Sequence, residues 1–79
     1  MNIKTTPENM HCTDQWQSLP GETVQVFLDE KLYRCGLVDE AMPDASGLWL
    51  AADGAHPREY IDKASGYQIW TRLFPTTGL

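Results

Sequence analysis

Few residues in this chain have the types and spacing that chemistry requires. The three serines, Ser18, Ser46 and Ser65, sit beside Pro or Gly or in predicted turns. No Gly-x-Ser-x-Gly elbow and no Gly-rich phosphate loop is present. Nucleophilic catalysis needs a base within reach of the nucleophile. Cys35 and His56 are the one such pair that can be constructed, and alternation puts Cys35 on the core face, where a thiol is inert. His11, Cys12, Cys35 and His56 make up a Cys2His2 inventory. Structural zinc sites, however, fix their ligands in close Cys-x-x-Cys and His-x-x-x-His pairs, and that spacing is missing. The adjacent acids Asp29-Glu30 and Asp39-Glu40 point to opposite faces of a strand, so neither pair forms a carboxylate dyad. They read as solvated turn charge that blunts strand edges. No catalytic residue, metal site or cofactor is expected.

Charge narrows the partners. Eleven acids against six bases give a formal net charge of -5. A nucleic-acid binder needs a cationic stripe to displace counterions, and none is visible. Anionic membranes are disfavoured for the same reason, and a basic protein partner is favoured. No run reaches the ~20 apolar residues of a membrane span. Met1 to Glu8 lacks the apolar core of a signal peptide, which makes the cytoplasm the expected compartment. Two cysteines are too few for a disulfide framework, so free thiols are expected.

The elements that must position any site are short. At 79 residues the chain has room for one domain. Residues 1–12 are polar and aperiodic and are expected to form a mobile arm, leaving 13–79 as the domain. Thr13 or Asp14 can cap a single turn through Trp16 and Leu19, stopped by Pro20-Gly21, that plugs one end of the fold. Period-2 alternation begins at Glu22. Val24, Val26 and Leu28 share one face of a first strand, and Asp29-Glu30-Lys31 is its tip. A second strand, Leu32–Ala41, puts Tyr33, Cys35 and Leu37 on one face and Arg34, Gly36 and Val38 on the other. Gly36 suggests a bulge or bend there.

The third strand is the apolar stretch within Gly47–Gly54, closed by the hairpin signal Asp53-Gly54. A fourth, Arg58–Asp62, and a fifth, from Tyr67 to about Leu73, flank the turn Lys63–Gly66. Five short antiparallel strands at hairpin spacing predict an all-β fold. Over residues 21–73 the pattern resembles a small five-stranded SH3-like barrel. An OB-like barrel is the alternative.

The aromatic residues carry the functional expectation. If Val24, Val26, Leu28, Leu48, Leu50, Ile61 and Ile69 point inward, Phe27, Trp49, Tyr60 and Trp70 point outward. Four large aromatics on so small an outer face need cover from a partner or a second copy. A single bulge would instead flip the third strand and make Trp49 a core residue. The outward arrangement predicts a non-enzymatic interaction module that binds a protein partner, or itself, through this aromatic face. Asp39, Glu40, Asp44 and Asp53 would rim that face.

A second reading comes from three short segments. Gly21-Glu22-Thr23-Val24, Ala55-His56-Pro57 and Gln68-Ile69-Trp70 occur in this order. In this the chain is similar to the type II dihydrofolate reductases, small SH3-like barrels with a Gly-x-x-Val strand start, an Ala-His-Pro turn and a pore-lining Gln-Ile-Tyr strand. The resemblance implies a small oligomeric enzyme with its site at subunit contacts. The chain departs from that pattern in Trp70, where the family has Tyr, and in a longer stretch between His56-Pro57 and Gln68. It also departs in Gln25-Val26-Phe27-Leu28, which replaces the family's basic strand.

Overall fold

The computed structural model describes residues 10–72. Six antiparallel strands form one sheet: β1 His11–Thr13, β2 Thr23–Leu28, β3 Lys31–Ala41, β4 Gly47–Leu50, β5 Glu59–Asp62 and β6 Gln68–Thr71. Their order is β1-β6-β2-β3-β4-β5. The described residues contain no α-helix, only 3-10 turns at Trp16–Ser18 and Lys63–Ser65.

Two features depart from the sequence expectation. There are six strands, not five, because His11 and Cys12 pair with Thr71 and Trp70 at the end of the expected arm. A three-residue strand has too little periodicity to register in a sequence; it forms because β6 offers it an edge. The rest of the expected arm and the tail after Arg72 lie outside the described residues. The sheet is also open, with β1 and β5 as its edges, so no barrel, SH3-like or OB-like, is closed by strand pairing. Between the two edges runs a side-chain link. Lys63 donates from Nζ to the Asp14 carbonyl at 2.6 Å and lies 5.0 Å from the Trp16 ring.

The core follows the expected alternation on β2, β4, β5 and β6, except that Leu28, expected inward at the end of β2, is half-buried and outside the core cluster. Val24, Val26, Val38, Leu48, Leu50, Ile61 and Ile69 are buried together with Trp16 and Leu19. Trp16 and Leu19 come from the expected plug, and the Trp16 indole donates from Nε1 to the Thr13 carbonyl at 3.1 Å. Burial of Leu48 and Leu50 on one face leaves Trp49 half-buried on the other, so β4 is not flipped.

The longest strand, β3, is irregular twice. Val26 faces Arg34 while Phe27 faces Leu32, which leaves Tyr33 as an extra residue. Val38 faces Leu50 while Glu40 faces Trp49, which leaves Asp39 as another. Bulges re-aim side chains and bend the strand. Here the two extra residues reach consecutive positions at the start of β5: Tyr33 donates from its hydroxyl to Glu59 at 2.5 Å, and Asp39 accepts from Arg58 at 2.9 Å.

The inner face of β3 also differs from expectation. Arg34, Gly36 and Val38 point inward, and Tyr33, Cys35 and Leu37 are exposed. The more apolar set was the expected core face, but Arg34 is satisfied inside. Its guanidinium donates to the Pro57 carbonyl at 3.1 Å, to the Ala51 carbonyl at 3.5 Å and to Glu59 at 3.3 Å. A buried charge with hydrogen-bonded partners is tolerated. These bonds clamp the base of the β4–β5 hairpin, whose turn is closed by reciprocal Asp53–His56 backbone bonds of 2.8 and 2.7 Å. Gly36 is no bulge. Its missing side chain leaves room for Leu50 and the Arg34 guanidinium, each 3.4 Å from where a Cβ would stand.

Candidate interaction face

The four outward aromatics form two pairs on opposite sides of β3. On β2 and β6, Phe27 and Trp70 meet edge to face at 6.1 Å. On β4 and β5, Trp49 and Tyr60 are directly opposed in register and their rings lie 5.1 Å apart. The four therefore face outward but are distributed over two patches. Their exposure differs as well. Phe27 is only 5% exposed, Trp49 and Trp70 are half-buried, and Tyr60 is 38% exposed.

The β4–β5 patch is the more elaborate. Arg58 immediately precedes β5 and lays its guanidinium over the Trp49 ring, 4.3 Å from the centroid. Its Nε donates to Asp39 at 2.9 Å and its Nη2 to Glu40 at 3.3 Å. A planar cation is thus held between an indole face and two carboxylates, all of them partly exposed. Tyr60 is fixed against the sheet by Gly47, where an added Cβ would overlap the tyrosine hydroxyl and stand 2.9 Å from the Ile61 carbonyl. Only glycine permits that approach.

Asp44 and Asp53, expected on the rim, lie in the connections at either end of β4. Asp44 accepts from the Ser46 amide at 3.0 Å, and hydrogen bonding to Ser46 holds its carboxyl below the usual value. Asp53 belongs to the hairpin turn.

The β2–β3–β6 patch is apolar. Register puts Cys12, Trp70, Gln25 and Cys35 in one cross-strand row on the outer face. Three strand spacings separate the two cysteines, roughly 14 Å, twice the reach of a disulfide. Both thiols are free and exposed, and burial followed by the Asp14 charge raises that of Cys12. Flanking this row, Leu32 is 52% and Leu37 46% exposed. Sequence reasoning missed Leu37 because β3 was assigned the wrong inner face, and the bulge at Tyr33 sets Leu32 apart from the alternation of residues 34–38. The signal that could have found Leu37 is Gly36, since a small residue beside an arginine marks the side on which that arginine folds.

A third cluster, at the start of β3, links Tyr67, just before β6, to Glu59 at the start of β5. Tyr33 packs on Tyr67 at 5.4 Å while donating to Glu59. That hydrogen bond, reinforced by desolvation and the Glu59 charge, pushes the Tyr33 phenol up to about 12. A cleft of about 590 Å³ lies around the Lys63 link, lined in part by Cys12, Asp14, Trp16 and Tyr67. Among the described residues no group of three His, Cys, Asp or Glu side chains is placed to hold a metal ion, and no helix is long and apolar enough to cross a membrane.

Comparison with known protein families, curated proteins and solved structures finds no match.

Proposed function

We propose that this chain is a small non-enzymatic interaction module, an SH3-like scaffold whose outer sheet face receives a protein partner or a second copy of itself. The observation that carries this reading is the assembly of Trp49, Tyr60 and Arg58 on the outer face of β4 and β5, framed by Asp39 and Glu40. Aromatic and arginine side chains dominate the binding energy of protein interfaces, and here the two aromatics are presented on strands, with Arg58 just before β5. Phe27 and Trp70 extend the face on the far side of β3, where exposed Leu32 and Leu37 lie on either side of Cys35 along the strand. The net charge of -5 favours a basic partner, and free thiols suit a reducing, cytoplasmic compartment.

The reductase-like reading asks Gln68, Ile69 and Trp70 to line a shared pore. Ile69 is fully buried in the core of the single chain, which favours the module reading over this one. Ala55-His56-Pro57 forms the β4–β5 hairpin, where it closes a turn.

Replacing Tyr60 with a photo-crosslinking phenylalanine derivative in the full chain, in cells, tests the interaction reading. Discrete adducts are expected from position 60 and not from position 18, which is exposed on the 3-10 turn. Position 60 yielding no adduct would overturn the reading.

A further inference from the structure

We infer that the Trp49 patch is a seat for a cationic side chain of a partner protein, and that Arg58 occupies this seat in the free chain. The inference rests on the interaction reading above and names the chemistry of the partner. Three recognition elements converge on one planar cation: the indole face of Trp49 at 4.3 Å, the Asp39 carboxylate at 2.9 Å and the Glu40 carboxylate at 3.3 Å. Tyr60, tilted against Trp49 at 5.1 Å, backs the indole that receives the cation. A guanidinium suits this site better than an ammonium because it stacks flat while its edge donates to carboxylates.

Arg58 is a replaceable occupant. It lies outside the β5 ladder, directly after Pro57, so its side chain can leave without breaking a strand hydrogen bond. The side chains of Arg58, Asp39 and Glu40 are 43, 45 and 64% exposed, and ion pairs at such exposure are weak and screened by salt. Once Arg58 swings out, Asp39 and Glu40 present two uncompensated negative charges beside the Trp49 indole. The whole chain has an excess of acids, so its field draws in a basic segment and opposes a second copy carrying the same charge. The occupant is therefore an arginine-bearing segment of another protein.

The test uses a capped Gly-Arg-Gly-Arg-Gly peptide, with lysine and glutamate counterparts, titrated into the full chain at low salt. Binding is followed by the NMR signals of the three indole N–H groups. The arginine peptide is expected to shift the Trp49 signal and leave that of buried Trp16 in place. The lysine peptide binds more weakly, the glutamate peptide does not bind, and added salt reverses the shift. Arg58→Gln removes the competing occupant and should bind the arginine peptide about fivefold more tightly, the scale of one exposed ion pair with its stacking contact. Asp39→Asn combined with Glu40→Gln should abolish binding.

Unchanged or weaker binding by Arg58→Gln overturns the inference, as does a Trp49 signal that ignores the arginine peptide. If position 60 still yields adducts in that case, the interaction reading stands and only the cationic seat falls. Position 60 adducts consisting solely of this chain, lost in Arg58→Gln, would identify a second copy as the occupant and overturn the basic-partner assignment.

Discussion

The two outward patches of this sheet begin from the same sequence rule and end as different surfaces. Alternation sends Phe27 and Trp70 outward on β2 and β6, and Trp49 and Tyr60 outward on β4 and β5. In the first patch the aromatics sit among apolar or uncharged neighbours and Phe27 is 5% exposed. In the second, a charged frame of Arg58, Asp39 and Glu40 surrounds the rings and keeps them partly in solvent. Facing is therefore a poor guide to exposure. A side chain on the outer face can be as buried as the core when its neighbours are large. The difference also separates stability from recognition, since a buried ring contributes mainly to folding and a framed, exposed ring is available to a ligand.

The sharpest way to break this comparison is to delete one ring from each patch. Phe27→Ala should cost about 3 kcal/mol of unfolding free energy, because it empties a buried aromatic site. Tyr60→Ala should cost about 1 kcal/mol or less, as its ring is 38% exposed. Denaturant unfolding of both variants measures this, and equal losses would erase the distinction between the patches.

A smaller effect concerns how Tyr60 is held. Gly47→Ala should destabilise by about 2 kcal/mol, because the new Cβ collides with the tyrosine ring and the Ile61 carbonyl. Adding Tyr60→Ala should recover part of that loss, and the remainder measures the backbone collision alone. A neutral Gly47→Ala would mean that Tyr60 is free to move, and the second patch would lose its rigidity.

The smallest expected effect is at the start of β3. The Tyr33 phenol is raised in the folded state by its bond to Glu59. A raised folded pKa means stability that is fully present below the ordinary tyrosine value, near 10, and lost as pH rises toward about 12. The thermal midpoint should therefore fall more steeply between pH 10 and 12 in the parent than in Tyr33→Phe. Parallel slopes would show that the bond does not couple the start of β3 to β5.

Much of the fold was legible because it rests on short-range rules. Val24 and Val26, then Leu48 and Leu50, alternate with polar or aromatic residues, and that period assigned both strands and the inner face of β2, while the face of β4 is settled only by the burial of Leu48 and Leu50. Pro20-Gly21 and Asp53-Gly54 marked turns that the structure contains, and Trp16 with Leu19 read as a plug at the spacing that lets both enter the core. Misreadings occurred where a longer-range partner overrode local pattern. Arg34 looked like a surface residue and is buried, because the carbonyls of Pro57 and Ala51 and the Glu59 carboxylate, all distant in sequence, receive it. That one residue inverted the faces of β3 and hid Leu37.

The chain's composition and alternation alone determined an all-antiparallel β domain, the core positions Val24, Val26, Ile61 and Ile69, and the outward direction of Phe27, Tyr60 and Trp70. Those follow from the two-residue period of a strand and from burial of apolar area, which act on neighbours in sequence. Tertiary structure alone decided that the four aromatics divide into two pairs, that His11–Thr13 joins β6 as a sixth strand and that the sheet stays open. It also decided that Arg58 rests on Trp49 between Asp39 and Glu40. Each of these depends on register and on the two bulges of β3, which set which residues meet across strands. Register is fixed by the packing of the whole sheet, and no local stretch of sequence contains it.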